Sequence, residues 1–352
     1  MWKQEKTLED SCEEIKEYTM KKFINAPEAF VDEMLEGILA AHPDQLATCA
    51  DYDRNIVRKN CVDKVGLVSG GGSGHLPLFM GYVGKGILDG CAVGGVFQSP
   101  GADQIYEITK HVDSGKGVVY IYGNYSGDIM NFEMSSEMAD MDDIRTAHIV
   151  GNDDVASAPK GEEYKRRGVA GIFFVYKTAG AAAELGASFE EVVRIAEKAK
   201  ANVRTMGVAL SPCIIPEVGK ASFSIGENEM EIGMGIHGEP GIVRTELQSA
   251  DSIVDQMLSG ILNDMELPRE SEVSVLVNGL GATPKEELYI VYRRIGQILE
   301  ERGIRVFHVY VGEFATSMEM AGFSISLFRL DEELKGLLGK PSCTPFFEQA
   351  QL

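Results

Sequence analysis

The chain has 352 residues, about two ordinary domains in length, and its 44% hydrophobic and 25% charged residues suffice for packed cores. A formal net charge of -21 excludes nucleic acid and anionic membrane surfaces as partners, because both select basic patches. It leaves open a small neutral substrate or a basic protein.

The N-terminal stretch "MWKQEKTLEDSCEEIKEY" is charged throughout and lacks the apolar core of a signal peptide. No run approaches the ~20 apolar residues of a membrane span. Cys12, Cys49, Cys61, Cys91, Cys213 and Cys343 form no CxxC pair and no zinc spacing, so they read as reduced thiols, and the expected location is the cytoplasm. In "NAPEAFVDEMLEGILAAHP", Phe30, Val31, Met34, Leu35, Ile38 and Leu39 share one helical face behind Asn25 and Pro27, and His42 follows as a surface or cap residue. The strand-like runs are "KVGLVS", "GKGVVYIYGN", "RTAHIVGN", "VAGIFFVYK", "RTMGVALSP", "SEVSVLVNGLG" and "IRVFHVYVG". Amphipathic helices such as "SFEEVVRIAEKAKA" and "PKEELYIVYRRIGQILEERG" lie between them. The alternation predicts an α/β protein with two α/β domains, each a mixed sheet covered by helices. We expect residues 1–198 to form the N-terminal domain and 199–352 the C-terminal one. The Gly-rich segment 221–242 has no helical period and reads as extended, hairpin-like chain. His111, His148 and His308 have no ligand-spaced partners and read as structural or surface residues. Met130, Met134, Met138 and Met141 read as a plastic core face.

Three stretches carry candidate chemistry. "LVSGGGSGH" (67–75) ends a strand in glycines, yet it is no P-loop, since His75 and Leu76 stand where Lys and Ser/Thr are needed. Nor does it supply the third glycine of a dinucleotide fingerprint. Its glycines predict close backbone approach and free N–H groups for hydroxyl or carbonyl oxygens, with His75 aimed at the same place. A tight turn carrying a structural histidine is the plainer alternative. "YGNYSGDIMNFE" places Asp128 at the carboxyl end of a strand, where α/β proteins meet ligands, although a helix cap would use the same residue. "GMGIHGEPG" brackets His237 with glycines, which suits an accessible nucleophile or ligand better than a packed core.

Together "SGGGSGH", "GNYSGDIMNFE" and "NEMEIGMGIHGEPGI" resemble the substrate-binding subunits of the dihydroxyacetone kinase family, and "LVNGLGATPKEELY" and "TSMEMAGFSISL" extend the resemblance over roughly residues 22–345. It implies a homodimer and a small-ketose site between loops. His237 would add through a ring nitrogen to the ketone carbon as a hemiaminal. His75 and Asp128 would contact hydroxyls and assist phosphoryl transfer, and the backbone of Gly72, Ser73 and Gly74 would cradle the ligand. No cofactor or metal is expected in this chain; Mg-ADP or Mg-ATP would sit on a separate nucleotide-binding subunit, recharged by a phosphotransferase-system protein or by exchange with ATP. Two positions depart from the family pattern: Leu76 replaces an acid after the Gly-rich stretch, and Gly123, a substrate-side position, replaces a Lys. Both changes predict a less charged and roomier pocket. The alternatives are therefore a kinase subunit for a larger ketose such as erythrulose, or a ketose-sensing transcriptional co-activator that transfers nothing.

Overall fold

The computed structural model describes residues 21–49, 52–60 and 62–352. Helix α1 (Phe30–Ala41) buries Val31 and Leu35, as the apolar spacing predicts, and His42 closes it as C-cap. Six strands follow in the first half: β1 (Leu46–Cys49), β2 (Tyr52–Arg58), β3 (Gly66–Gly72), β4 (Gly90–Gly94), β5 (Val118–Gly123) and β6 (Thr146–Gly151). They form one mixed sheet in the order β1-β2-β4-β3-β5-β6. The run from β4 through β3 and β5 to β6 is parallel, whereas β1 and β2 pair antiparallel at one edge. Helices α2 (Ala102–Val112) and α3 (Ser126–Met141) make the crossovers.

"VAGIFFVYK" is a helix, not the strand its apolar run suggests. Residues Ile172–Glu184 form α4, with every position from Ile172 to Ala183 buried. A helix buried on all sides carries no polar stripe, so its periodicity is mute. Its start is fixed by Asp153, whose carboxylate accepts the N–H groups of Val169 and Gly171 at 2.9 Å each. The aromatic ring of Phe173 reaches Tyr82 on one side and Tyr310 and Phe314 on the other, while Phe174 stacks on Phe328 with centroids 4.8 Å apart. α4 is thus a wedge between the two halves. Helix α5 (Phe189–Ala201), N-capped by Ser188, packs beside it.

The second half contains β7 (Val203–Ser211), the short pair β8 (Ile214–Ile215) and β9 (Lys220–Ala221), then β10 (Glu229–Ile232), β11 (Val243–Glu246), α6 (Ala250–Asp264), β12 (Glu272–Gly279), α7 (Lys285–Glu301), β13 (Arg305–Gly312), β14 (Ala321–Leu330) and α8 (Glu332–Leu338). Its sheet runs β11-β10-β7-β14-β12-β13, with only β12 and β13 parallel. The extended reading of 221–242 holds, since β10 and β11 are an antiparallel pair joined by the His237 loop. A terminal pair, β15 (Ser342–Cys343) and β16 (Glu348–Gln349), closes the chain against the first half through Cys343 N–H to Lys85 O and Thr344 Oγ1 to Gly81 O. The backbone between the sheets is joined by the segment Thr316–Met318, two residues ahead of β14. Thr316 N–H donates to His75 O and Met318 N–H to Gly74 O.

Candidate active site between the two sheets

β3 ends where the parallel strands end, and there the chain tightens into a single turn, Ser73–His75. Gly70, Gly71 and Gly72 are strand residues. A Cβ on Gly72 would lie 2.5 Å from the Val96 carbonyl oxygen, so the glycine serves close packing against the segment after β4. The expected free N–H groups are not free. Ser73 N–H donates to Gly95 O at 3.0 Å and Gly74 N–H to Val96 O at 2.8 Å. What this turn presents is side chains.

His75 is fully buried. Its Nδ1–H donates to the Thr316 carbonyl at 2.7 Å, leaving the lone pair on Nε2, which has no hydrogen-bond partner. Burial, reinforced by the neighbouring His237 ring, pushes its pKa down to about 3. The imidazole is therefore neutral and acts as an acceptor. Its ring stacks on Phe97 (4.8 Å, 22°) and meets His237 edge-on (4.6 Å, 80°).

His237 lies in the β10–β11 loop with a quarter of its side chain exposed. Its Nδ1 is 3.1 Å from Glu239 Oε1, and its backbone N–H donates to Glu239 Oε2 at 2.9 Å. Burial alone would raise the Glu239 carboxyl, but the hydrogen bond and charge of His237, with Arg167, hold it down to about 2. An ionised carboxylate on Nδ1 fixes that nitrogen as the proton carrier and makes Nε2 the nucleophilic one. Arg167 is itself held by Asp154 (Nε–Oδ2 2.8 Å) and Gly233 O (2.8 Å). Ser317 Oγ donates to the Ile236 carbonyl, so the same three-residue segment that holds the His75 turn also holds the His237 loop.

Asp128 sits in the first turn of α3, 5% exposed. Burial raises its carboxyl to about 6 against the opposing pull of the Ser99 hydroxyl and His237. Its Oδ1 has no partner, and neither does the buried Ser73 Oγ. Tyr125 turns its ring edge-on to His237 (4.6 Å, 90°) and donates to Gly168 O at 3.2 Å. A Cβ on Gly123 would lie 2.8 Å from that ring. The loss of a lysine there therefore opens no room, because Tyr125 already fills it. Leu76 likewise packs against the first-half core, and its carbonyl accepts from Thr316 Oγ1 at 2.9 Å.

The structure thus brings His75, Asp128 and His237 together around unpartnered acceptors. Glu239, Tyr125, Phe97 and Thr316 join them. Glu239 had a signal in "HGEPG", whereas Thr316 acts through its backbone and had none. The methionines do not form a core face: Met130, Met134 and Met141 are 61%, 50% and 78% exposed. Among the described residues no group of three His, Cys, Asp or Glu could hold a metal ion, and no helix is long and apolar enough to cross a membrane.

The site is mostly buried and carries two acceptors without partners, His75 Nε2 and Asp128 Oδ1, beside a histidine held by a carboxylate. The Dak1 domain model matches residues 36–346, and the chain belongs to that family. A curated relative from Listeria innocua, the dihydroxyacetone-binding subunit DhaK of PTS-dependent dihydroxyacetone kinase 2, is 47% identical over 94% of this chain and 99% of its own. A D-erythrulose kinase of Mycolicibacterium smegmatis is 39% identical over 94% of this chain but only 57% of its own. Among solved structures, the dihydroxyacetone kinase of C. freundii in complex with AMP-PNP and Mg2+ aligns with TM-score 0.86 at 30% identity, over 94% of this chain and 61% of that one. The operon co-activator Dha-DhaQ aligns with TM-score 0.84 at 31% identity, over 90% and 98%.

Proposed function

We propose that the chain is the ketose-binding subunit of a dihydroxyacetone kinase. It holds dihydroxyacetone as a hemiaminal on His237 and presents a terminal hydroxyl to a phosphoryl group carried by a separate nucleotide-binding subunit. The observation that carries this reading is the pair of buried acceptors without partners, His75 Nε2 and Asp128 Oδ1; the His75 ring meets His237 edge-on, and the Asp128 carboxyl is within reach of the His237 charge. Each unpartnered polar atom costs ~1–3 kcal/mol, which a ligand hydroxyl donating to it would relieve.

In the capture step, Nε2 of His237 forms a bond to the carbonyl carbon while the carbonyl π bond breaks, and its oxygen takes up a proton from solvent. The positive charge left on the ring faces the Glu239 carboxylate at Nδ1. Glycerol has the hydroxyls but no carbon for Nε2 to attack, so the bond supplies selectivity as well as affinity. His75, neutral across the physiological range, accepts from a substrate hydroxyl and orients it. Asp128, ionised above pH ~6, takes the proton of the attacking hydroxyl. Mg-ADP or Mg-ATP belongs to the partner subunit; the chain works in the cytoplasm and pairs as a homodimer, on the strength of the family resemblance.

The Tyr125 ring against Gly123 favours the three-carbon ketose over erythrulose at that position, and an unpartnered carboxylate at the hydroxyl favours transfer over sensing. Calorimetric titration with dihydroxyacetone, D-erythrulose and glycerol, repeated on His237→Ala, tests the reading. Ketose binding that is lost in the variant, with glycerol silent, is the expected result; ketose affinity unchanged by the substitution would refute the covalent step.

A further inference from the structure

Helix α3 has large apolar side chains where a surface helix ordinarily carries polar ones. Phe132, Ser135 and Ala139 face inward with Asp128. On the other side, Met130, Met134 and Met141 stand 61%, 50% and 78% exposed, with Met138 partly buried beside them. The four recur at helical spacing and make one stripe about 16 Å long, at 1.5 Å per residue. Glu133, Glu137 and Asp140, all exposed, border it, and residues 126–141 contain no Lys, Arg or His. A second exposed apolar residue adjoins the same loop: Tyr164 is 71% exposed, and its carbonyl accepts from Asn124 Nδ2 at 2.9 Å.

We propose that this methionine stripe, together with Tyr164, is the surface on which the phosphoryl-donating chain docks; the inference rests on the kinase reading above. In-line transfer requires the donor phosphorus to reach the hydroxyl beside Asp128. The donor chain must therefore cover the surface around the start of α3, where the exposed Met130 opens the stripe on the face opposite Asp128. Methionine suits a contact that is made and released repeatedly, because its unbranched side chain repacks at little cost. The acidic border decides against a second copy of this chain. An isologous contact would bring the acidic edges of two α3 helices face to face, with no basic residue on the helix to offset them. The occupant has an apolar centre and a basic rim.

The test uses Met134→Glu/Met141→Glu, two exposed positions away from the ketose-binding groups, with Leu185→Glu, 63% exposed elsewhere, as control. Each full-length protein is titrated with dihydroxyacetone, and phosphoryl transfer is then followed over a concentration series of a dihydroxyacetone kinase nucleotide-binding subunit loaded with Mg-ATP. We expect ketose affinity to stay within twofold while the half-saturating donor concentration rises tenfold or more, as for loss of interface anchors. Glu137→Lys should also weaken donor saturation and flatten its dependence on salt. Unchanged donor saturation in the double variant overturns the docking surface. So does a shift confined to the self-association of this chain by sedimentation, which would mark a contact between copies. Wild-type protein that binds no ketose is a different failure: it removes the kinase reading itself, and the docking surface with it.

Discussion

Replacing Glu239 by Gln keeps the size of the side chain and removes its charge. In the native loop the carboxylate holds both ends of His237, at Nδ1 (3.1 Å) and at the backbone N–H (2.9 Å). The amide has one acceptor oxygen, and its NH2 group can instead face Nδ1, which would move the ring proton to Nε2 and occupy the nucleophile. The adduct also loses the anion that balances its positive ring. A hydrogen bond to a charged group contributes ~1.5–3 kcal/mol, and 31% exposure of the Glu239 side chain places this one at the weaker end. At ~1.4 kcal/mol per tenfold, ketose affinity should fall roughly 10- to 30-fold. Calorimetry gives the affinity, and carbon-13 NMR of dihydroxyacetone labelled at the carbonyl carbon separates a free carbonyl from a tetrahedral adduct. The adduct signal should weaken in step with affinity. Affinity within twofold of wild type, with the tetrahedral signal intact, would show that the carboxylate does not set the tautomer of His237.

Asp128→Asn should lower phosphoryl transfer by ~100-fold or more while ketose affinity changes only a few-fold, because it removes a base and little binding. In the native protein, transfer at saturating ketose should rise with pH through about 6, where Asp128 ionises, and then level off; a profile flat from pH 5 to 7 would exclude that carboxylate as the base. Asp264 accepts a bidentate contact from Arg166, 1% exposed, and a further one from Arg204. Asp264→Asn should therefore cost ~3–5 kcal/mol in denaturant unfolding. The native contribution is present above the ordinary carboxylate value of 3.8 and fades as pH falls through the lower folded-state value, since these hydrogen bonds outweigh the burial that would raise it. Lys177 is buried in α4 and donates to the Lys340 carbonyl, and burial lowers its pKa from 10.5 to about 8. Below pH 8 it is charged in both states, and between 8 and 10.5 only the unfolded chain holds the proton. Stability should thus rise by roughly 2–3 kcal/mol across that window, an increment absent in Lys177→Met.

The strands with β-branched runs and the helices with a clean 3.6-residue period were legible in the sequence, and so were the three stretches that meet at the site. What failed, failed for local reasons. α4 hides its helical nature because both of its faces are core, so even Lys177 and Thr178 are buried and no polar face marks the period. The α3 methionines satisfy the spacing of a core face while pointing outward; spacing gives a face, not its direction. The Gly-rich stretch promised free backbone donors, but the neighbouring Gly95 and Val96 carbonyls take them, and that pairing depends on which strand lies alongside. Thr316 was invisible because its contribution to His75 is a carbonyl oxygen, which every residue has.

Thr316, Ser317 and Met318 touch the His75 turn through the carbonyl of Thr316 and the amide of Met318, and the His237 loop through the hydroxyl of Ser317. They act as one mounting bracket for two rings that come from different sheets. The 4.6 Å spacing and 80° angle between those rings are therefore set by residues that take no part in the chemistry. Ligand binding and cohesion of the two sheets become a single linked equilibrium, and by reciprocity each strengthens the other. On the proposed binding mode, a ketose held by His75 and His237 also tightens the joint between the halves, so protection of the Thr316 and Met318 amides from hydrogen exchange should report occupancy of the site.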